Sequence, residues 1–130
     1  MGAGPARSRE RSRVSGWAGE QATQVKRYEI RWARLDPAEG SEMSKSRPVV
    51  IVSREELLAV LETVTICPLT SHRHPTWRSR LAITVGARPG EIAVDQIRTI
   101  SKARLGRRIG QLEEREATTL RRIITEMYGE

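Results

Sequence analysis

The chain consists of short apolar runs separated by polar stretches, which is the pattern of a small protein built from short strands. Tyr28, Ile30 and Trp32 alternate with polar residues, so the first run predicts a strand with two different faces, closed by a turn at Asp36-Pro37. Further strands are predicted at residues 48–52, 64–69, 81–85, 92–97 and 108–112, with a turn, GARPG, at residues 86–90.

Two helices accompany these strands. Ser53 precedes Glu56 by three residues, which predicts a capping box at the start of a short helix through residues 55–58. A longer C-terminal helix ending at Gly129 is predicted from apolar residues spaced by three and four, namely Ala117, Leu120, Ile123, Ile124, Met127 and Tyr128. Short strands followed by a terminal helix predict a mainly β fold of the α+β class, with a small, strongly bent barrel or sheet.

The N-terminal segment, residues 1–26, differs from the rest of the chain in composition. It is rich in Gly, Ala, Ser and Arg and has no apolar periodicity, so it cannot bury enough surface to offset the entropy lost on ordering. We therefore expect a basic, disordered N-terminal arm over residues 1–26 and one folded domain over residues 27–130.

The charge is strongly positive. The chain carries a net charge of +7, and residues 27–130 remain basic when the arm is left out. A basic body is typical of proteins that bind a polyanion, most often nucleic acid, although a soluble arginine-rich surface fits the composition equally well.

The single cysteine, Cys67, excludes an internal disulfide framework and indicates a reducing compartment. The apolar runs are much shorter than the roughly 20 residues of a membrane span, and the basic N-terminus is not followed by the apolar core of a secretory signal. We expect a soluble cytoplasmic protein with Cys67 in a strand core.

Three motifs occur in a familiar order: LDP, GSE and RPVVIVS within residues 35–53, then ICPLTS at 66–71, then DQIRTI at 95–100. Together they resemble the MazF/PemK family of toxins from type II toxin–antitoxin systems. The resemblance implies an SH3-like small β-barrel of the MazF/CcdB type, with a short internal helix and a C-terminal helix, assembled as a homodimer. It also implies inhibition by an acidic antitoxin from a separate chain and DNA binding by the toxin–antitoxin complex.

The activity implied by the resemblance is metal-independent, sequence-selective cleavage of single-stranded RNA. The ribose 2′-hydroxyl attacks its own phosphate and leaves a 2′,3′-cyclic phosphate and a 5′-hydroxyl, without a cofactor. Such a reaction needs a proton acceptor, a proton donor and positive charge at the phosphate. Arg47, at the foot of the strand 48–52, suits the last role because guanidinium binds phosphate oxygens through paired donors. The alternative is that Arg47 caps loop carbonyls or pairs with Glu42.

By the same resemblance, Thr70 holds the scissile phosphate; otherwise it is an ordinary strand-end hydroxyl that satisfies a turn. Ser41 stands where some relatives carry a histidine, and Ala93 stands where some carry an arginine. Asp95 is the second-choice general base, and an ion pair with Arg98 is at least as good an interpretation.

The loop SHRHPTWRSR, residues 71–80, mixes arginines with an aromatic side chain that can stack on a base. The alternative is a solvated loop with its tryptophan folded onto the barrel. Cys67, His72 and His74 lack the paired spacing of a zinc site, so we expect no metal. The candidate substrate-binding residues are Ser41, Glu42, Ser71, Arg73, Trp77, Arg78, Asp95, Gln96 and Arg98.

Two other functions are open at this point. One is a CcdB-like gyrase poison, but that class acts through a tryptophan at its C-terminal tip and this chain ends in Met-Tyr-Gly-Glu. The other is a catalytically inactive relative that only binds nucleic acid, which the presence of Arg47 and Thr70 argues against.

Overall fold

A curled antiparallel sheet forms most of the domain in the computed structural model, which describes residues 25–35 and 46–129. The strands are β1 (Glu29–Arg34), β2 (Ser46–Ile51), β3 (Thr63–Thr70), β4 (Arg80–Val85), β5 (Arg88–Ala93), β6 (Arg98–Ser101) and β7 (Leu105–Gln111). The helices are α1 (Glu55–Val60) and α2 (Glu114–Tyr128), with single 3-10 turns at Val94–Gln96 and Lys102–Arg104. The strand order is β4-β5-β3-β2-β1-β7, and β6 also pairs with β3.

The sheet curls around β3. One edge of β3 pairs with β2, whereas the other edge is shared, because its first half pairs with β6 and its last two residues pair with β5. Register shifts between β1 and β7, on either side of Arg31, add local twist. The result is a half-barrel closed by a C-terminal helix, which confirms the predicted mainly β, SH3-like fold.

Both faces of the central strand β2 are buried. Val50 and Val52 belong to the core that contains the apolar face of α2, whereas Val49 and Ile51 belong to a second core that contains Leu58 of α1. Successive strand residues point to opposite faces. Burial on both sides therefore explains why residues 48–52 read as a continuous apolar run rather than an alternating one.

The predicted capping box of the short helix is wrong, although the helix itself is present. α1 begins at Glu55 with Arg54 as its N-cap residue, and no side chain caps it. The hydroxyl of Ser53 instead accepts a hydrogen bond from the backbone N–H of Thr65 on β3, at 2.8 Å. The Ser53 hydroxyl therefore bonds to a distant strand instead of capping the helix as the local sequence pattern predicted.

The predicted strand at residues 92–97 is correct only for Ile92 and Ala93, because the chain turns after them. β5 ends at Ala93, a 3-10 turn follows, and Arg98 starts β6 on the other half of β3. The turn before β5 is shorter than predicted: it centres on Gly86, whose φ of +63° favours glycine, and Arg88 already pairs with Val85.

The C-terminal helix matches its predicted extent. Glu113 and Glu116 form a capping box at its start, and Gly129 is its C-cap. Ala117, Leu120 and Ile123 are buried against the sheet. No helix in residues 25–35 and 46–129 is long and apolar enough to cross a membrane.

The described part of the domain starts within the segment predicted as an arm. Val25 is 8% exposed and packs in the same core as Leu58, and the N–H of Lys26 donates to the Glu29 carboxylate at 3.0 Å. The rest of the predicted arm, residues 1–24, lies outside the described residues.

Candidate active site

A groove with a volume of about 680 Å³ opens where β2 begins and β3 ends. These two ends lie side by side because β2 and β3 are antiparallel neighbours, with Val49 opposite Pro68. The last residue of β3, Thr70, also pairs with Glu91 of β5. The groove is lined by the start of β2, the end of β3, the first residues of β4 and β6, the 3-10 turn at Val94–Gln96 and the loop after β3.

Arg47 and Thr70 are both part of the groove lining. Arg47 is the second residue of β2, and Thr70 is the last residue of β3. The side chain of Arg47 is exposed and makes no hydrogen bond or ion pair with other described residues. Its guanidinium is therefore available to an anion in the groove.

The hydroxyl of Thr70 satisfies a turn, as the structural alternative predicted. Its oxygen accepts a hydrogen bond from the backbone N–H of His72 at 3.0 Å. That contact uses the oxygen as an acceptor, so the hydroxyl hydrogen remains free to donate into the groove. A Cβ added to Gly90 would lie 3.0 Å from the Thr70 carbonyl, which shows how closely β5 backs this residue.

Arg80 is the most connected side chain of the groove. Its Nε donates to Asp95 Oδ1 at 2.9 Å, and its Nη1 donates to Glu91 Oε1 at 3.3 Å and to the His72 carbonyl at 3.2 Å. The side chains of Arg80 and Glu91 are only 5% and 3% exposed. Hydrogen bonding to Asp95 raises the pKa of Arg80, so it is a permanent cation that fixes its neighbours.

Asp95 is paired with Arg80 rather than with Arg98, so the predicted ion pair is wrong in its partner. Burial works to raise the pKa of Asp95, but hydrogen bonds from Arg80 and Ser79 outweigh it and hold that pKa below its usual value. The Ser79 hydroxyl donates at 2.8 Å. Arg98 donates to the Leu35 carbonyl at 3.2 Å. A carboxylate so engaged is a weak base, which counts against Asp95 as the general base.

Trp77 forms an aromatic wall of the groove and lies over Arg80, the first residue of β4. The ring of His74 stacks on it with centroids 3.8 Å apart and planes within 10°. The guanidinium carbon of Arg80 lies 4.7 Å from the Trp77 ring centroid. With 46% of its surface exposed, Trp77 is held in place and still accessible to a ligand.

The structure brings together six of the predicted site residues along the groove: Arg47, Thr70, Trp77, Asp95, Gln96 and Arg98. The exposed loop residues Ser71, Arg73 and Arg78 are outside this lining. Ser41 and Glu42 lie outside the described residues.

Sequence reasoning missed Glu91, and it placed Arg80, His72 and His74 within the loop 71–80 without making them site residues. One feature of the sequence could have pointed to Arg80: it directly precedes an apolar run, as Arg47 does. In the structure Arg80 faces Ala93 across the β4–β5 pair.

Cys67 is fully buried on β3, as predicted, and burial is the main reason that its pKa is raised to about 12. Among the residues that the structure describes, no group of three or more His, Cys, Asp or Glu side chains is placed to hold a metal ion.

Comparison with known proteins places this small half-barrel in a known family. Residues 26–128 match the family described as PemK-like, MazF-like toxin of type II toxin–antitoxin system, and the chain belongs to this family. This confirms the resemblance read from the motifs at residues 35–53, 66–71 and 95–100.

Three relatives illustrate the match. Endoribonuclease MazF9 of Mycobacterium tuberculosis is 32% identical over 105 residues, covering 74% of this chain and 89% of that protein. The structure of Mycobacterium tuberculosis toxin MazF-mt6 is 27% identical with a TM-score of 0.66, covering 77% of this chain and 95% of the other. An endoribonuclease from a mycobacterial species in complex with its cognate antitoxin shares the fold, with a TM-score of 0.68 at 21% identity, covering 81% of this chain and 95% of that one.

Proposed function

We propose that this toxin is a metal-independent endoribonuclease that cleaves single-stranded RNA at selected sequences and thereby inhibits translation and growth. The ribose 2′-hydroxyl attacks the adjacent phosphorus, and the products carry a 2′,3′-cyclic phosphate and a 5′-hydroxyl. Support comes from the family match and from the relative named as an endoribonuclease. The observation that carries the proposal is that Arg47, at the start of β2, and Thr70, at the end of β3, line the same groove.

Arg47 stabilises the phosphate as negative charge builds up on its non-bridging oxygens. Arg47 is the second residue of β2. Residues 49–51 of the same strand are fully buried, so the backbone that carries Arg47 is rigid. A guanidinium group in a protein stays protonated, so Arg47 contributes charge and hydrogen bonds rather than protons.

Thr70 orients the same phosphate. Its hydroxyl oxygen is fixed by the N–H of His72, which sets the side-chain rotamer and directs the hydroxyl hydrogen toward an acceptor in the groove. A neutral donor held in this way adds positioning to the charge that Arg47 supplies.

The neighbouring bases contact the rest of the groove. The Trp77 wall offers a surface on which a base can stack for roughly 1–3 kcal/mol, and Gln96 and Arg98 offer hydrogen-bond donors. The exposed loop residues Ser71, Arg73 and Arg78 contact RNA that extends beyond the groove. Ser41 and Glu42, which lie outside the described residues, are the remaining predicted binding residues.

The protein acts as a homodimer in the cytoplasm and is inhibited by an acidic antitoxin supplied as a separate chain. The groove is lined by Arg47, Arg80 and Arg98, and the whole chain has a charge of +7, so an acidic segment is electrostatically matched to it. One structural relative is an endoribonuclease bound to its cognate antitoxin.

The gyrase-poison and binding-only alternatives are not favoured. The relatives reported above are named as endoribonucleases or as a MazF toxin. A supercoiling assay with purified DNA gyrase gives the direct comparison, and we expect no inhibition.

The test is incubation of purified protein with a long single-stranded RNA in EDTA, followed by mapping of the cut ends. We expect discrete cuts with 5′-hydroxyl ends. Arg47→Ala and Thr70→Ala should each lower the turnover number by about 100-fold or more, because one preorganised donor contributes that much. Arg107→Ala, an exposed β7 arginine outside the groove, is the matched control and should cleave normally.

Two results would contradict the proposal. Cleavage that stops in EDTA would show that the reaction needs a metal ion. Full activity of folded Arg47→Ala protein would remove the residue on which the phosphate-binding role depends.

A further inference from the structure

We propose that His72 is the general acid of this reaction and gives its proton to the 5′-oxygen that leaves the phosphorus. The inference rests on the proposed ribonuclease function and names the side chain for one of its proton transfers. His72 was not a candidate site residue from the sequence; its position in the groove follows from the tertiary structure.

The chemical step requires such a donor. As the 2′-oxygen forms its bond to phosphorus, its proton passes to water, and the bond from phosphorus to the 5′-oxygen breaks with its electron pair on that oxygen. The departing alkoxide is a strong base and takes a proton from the imidazolium of His72, which becomes neutral. The acid must therefore carry a proton near neutral pH and release it readily.

Few groups in this chain meet that requirement. The sequence contains two histidines, and histidine is the side chain whose ordinary charge change falls between about pH 5 and 8. Arg47 is not suited to the role, because a guanidinium group in a protein does not give up its proton. Asp95 has a lowered pKa and is therefore already deprotonated, so it has no proton to give. Cys67 is fully buried and cannot reach the groove.

The two histidines differ in their freedom. The ring of His74 is stacked on Trp77 at 3.8 Å, which fixes it as part of the aromatic wall. The imidazole of His72 is exposed, lines the groove, and makes no hydrogen bond or ion pair with any described residue. Both ring nitrogens of His72 are thus open to a substrate, as a proton donor requires.

The backbone of His72 is fixed on both sides even though its ring is free. Its N–H donates to the Thr70 hydroxyl at 3.0 Å, and its carbonyl accepts from Arg80 at 3.2 Å. Arg80 is itself held by Glu91 and Asp95. The Cα of His72 therefore keeps a set position relative to the phosphate-binding hydroxyl of Thr70, which is the preorganisation that a proton transfer needs.

The decisive experiment compares two substrates that differ in one atom. The first is a short RNA with a single cleavable linkage, and the second has sulfur in place of the leaving 5′-oxygen. A thiolate is a much weaker base than an alkoxide, so it departs without a proton. Loss of a general acid should therefore slow cleavage of the oxygen substrate and leave cleavage of the sulfur substrate nearly intact.

We expect His72→Ala to cleave the oxygen substrate about 100-fold more slowly than wild type, in the range of general acid contributions. On the sulfur substrate it should cleave within about threefold of wild type, because no acid is needed. His74→Ala is the matched comparison: removing part of the wall should slow both substrates by the same factor. Urea midpoints close to wild type for both variants would exclude loss of folding.

The outcomes separate the two proposals. If Arg47→Ala is inactive while His72→Ala cleaves the oxygen substrate at the wild-type rate, the ribonuclease assignment stands and His72 is not its acid. An equal loss on both substrates would likewise refute the acid role. If wild-type protein cleaves neither substrate, nor any longer RNA, the proposed function fails and this inference fails with it.

Discussion

Removing the carboxylate of Glu91 tests whether a buried ion pair fixes the groove. Glu91 is 2% exposed, and its Oε1 accepts from the backbone N–H of His74 at 2.8 Å and from Arg80 Nη1 at 3.3 Å. Glu91→Ala takes away both contacts at once. The Arg80 guanidinium then keeps only Asp95 as a carboxylate partner, and the N–H of His74 loses its acceptor.

The magnitude follows from the burial of the pair. Breaking a buried ion pair by removing one partner costs about 3–5 kcal/mol of unfolding free energy, because the other charge is left in a poorly solvated site. Asp95 remains paired with Arg80 and is 27% exposed, which offsets part of that loss. We therefore expect about 3 kcal/mol for Glu91→Ala. Glu91→Gln keeps an oxygen acceptor for His74 and should cost about half as much.

Equilibrium urea unfolding gives the measurement. With a denaturant slope of about 1.5 kcal/mol/M, the Glu91→Ala midpoint should fall by about 2 M. Glu56→Ala is the matched control, because it removes a carboxylate 3.2 Å from Arg54 in a pair whose side chains are 67% and 68% exposed. Exposed pairs contribute little, so its midpoint should stay near that of wild type.

One result would refute the reasoning. If the Glu91→Ala midpoint lies within about 0.5 M of the wild-type midpoint, about one quarter of the expected shift, while the slope is unchanged, the pair does not hold the loop. The loop position would then depend on the apolar contacts of the hairpin rather than on Glu91.

Three further predictions concern stability and reactivity. Leu120→Ala should lower the unfolding free energy by about 3–4 kcal/mol because Leu120 is fully buried, and Leu57→Ala, at a residue 46% exposed, should cost far less in the same urea assay. Cys67 should resist iodoacetamide in native protein and react in urea, since burial raises its pKa to about 12; rapid native labelling would contradict this. The pKa of Asp95 is lowered in the fold from 3.8, so its contribution to stability is present above that pH and lost below it. Asp95→Asn should therefore weaken the fall in unfolding free energy at acid pH. An unchanged fall would count against a stabilising ion pair between Asp95 and Arg80.

The local elements were largely predictable from the sequence. The terminal helix was found because its apolar residues share one face, and its end at Gly129 follows from the same pattern. Ser53 and the run at residues 92–97 were misread because their partners are distant in sequence: Thr65 takes the Ser53 hydroxyl, and the chain leaves β5 to reach the other half of β3. Local pattern rules contain no information about such partners.

The candidate site likewise contains residues that the sequence predicted and residues that only the structure revealed. Arg47 and Thr70 were found because they stand within motifs that resemble a family, at a strand start and a strand end. Arg80 and Glu91 carry no motif, and their importance comes from a register that places them next to Asp95 and the 71–79 loop.

The sequence alone determined the class of this protein. Its short apolar runs, basic charge and ordered motifs were sufficient for a small mainly β toxin domain with an arginine at the foot of a buried strand. Only the tertiary structure decided which charges meet, because the pairing of Arg80 with both Asp95 and Glu91 depends on how strands curl around β3. Strand propensity is a local property, whereas the geometry of a groove is set by contacts between residues far apart in the chain.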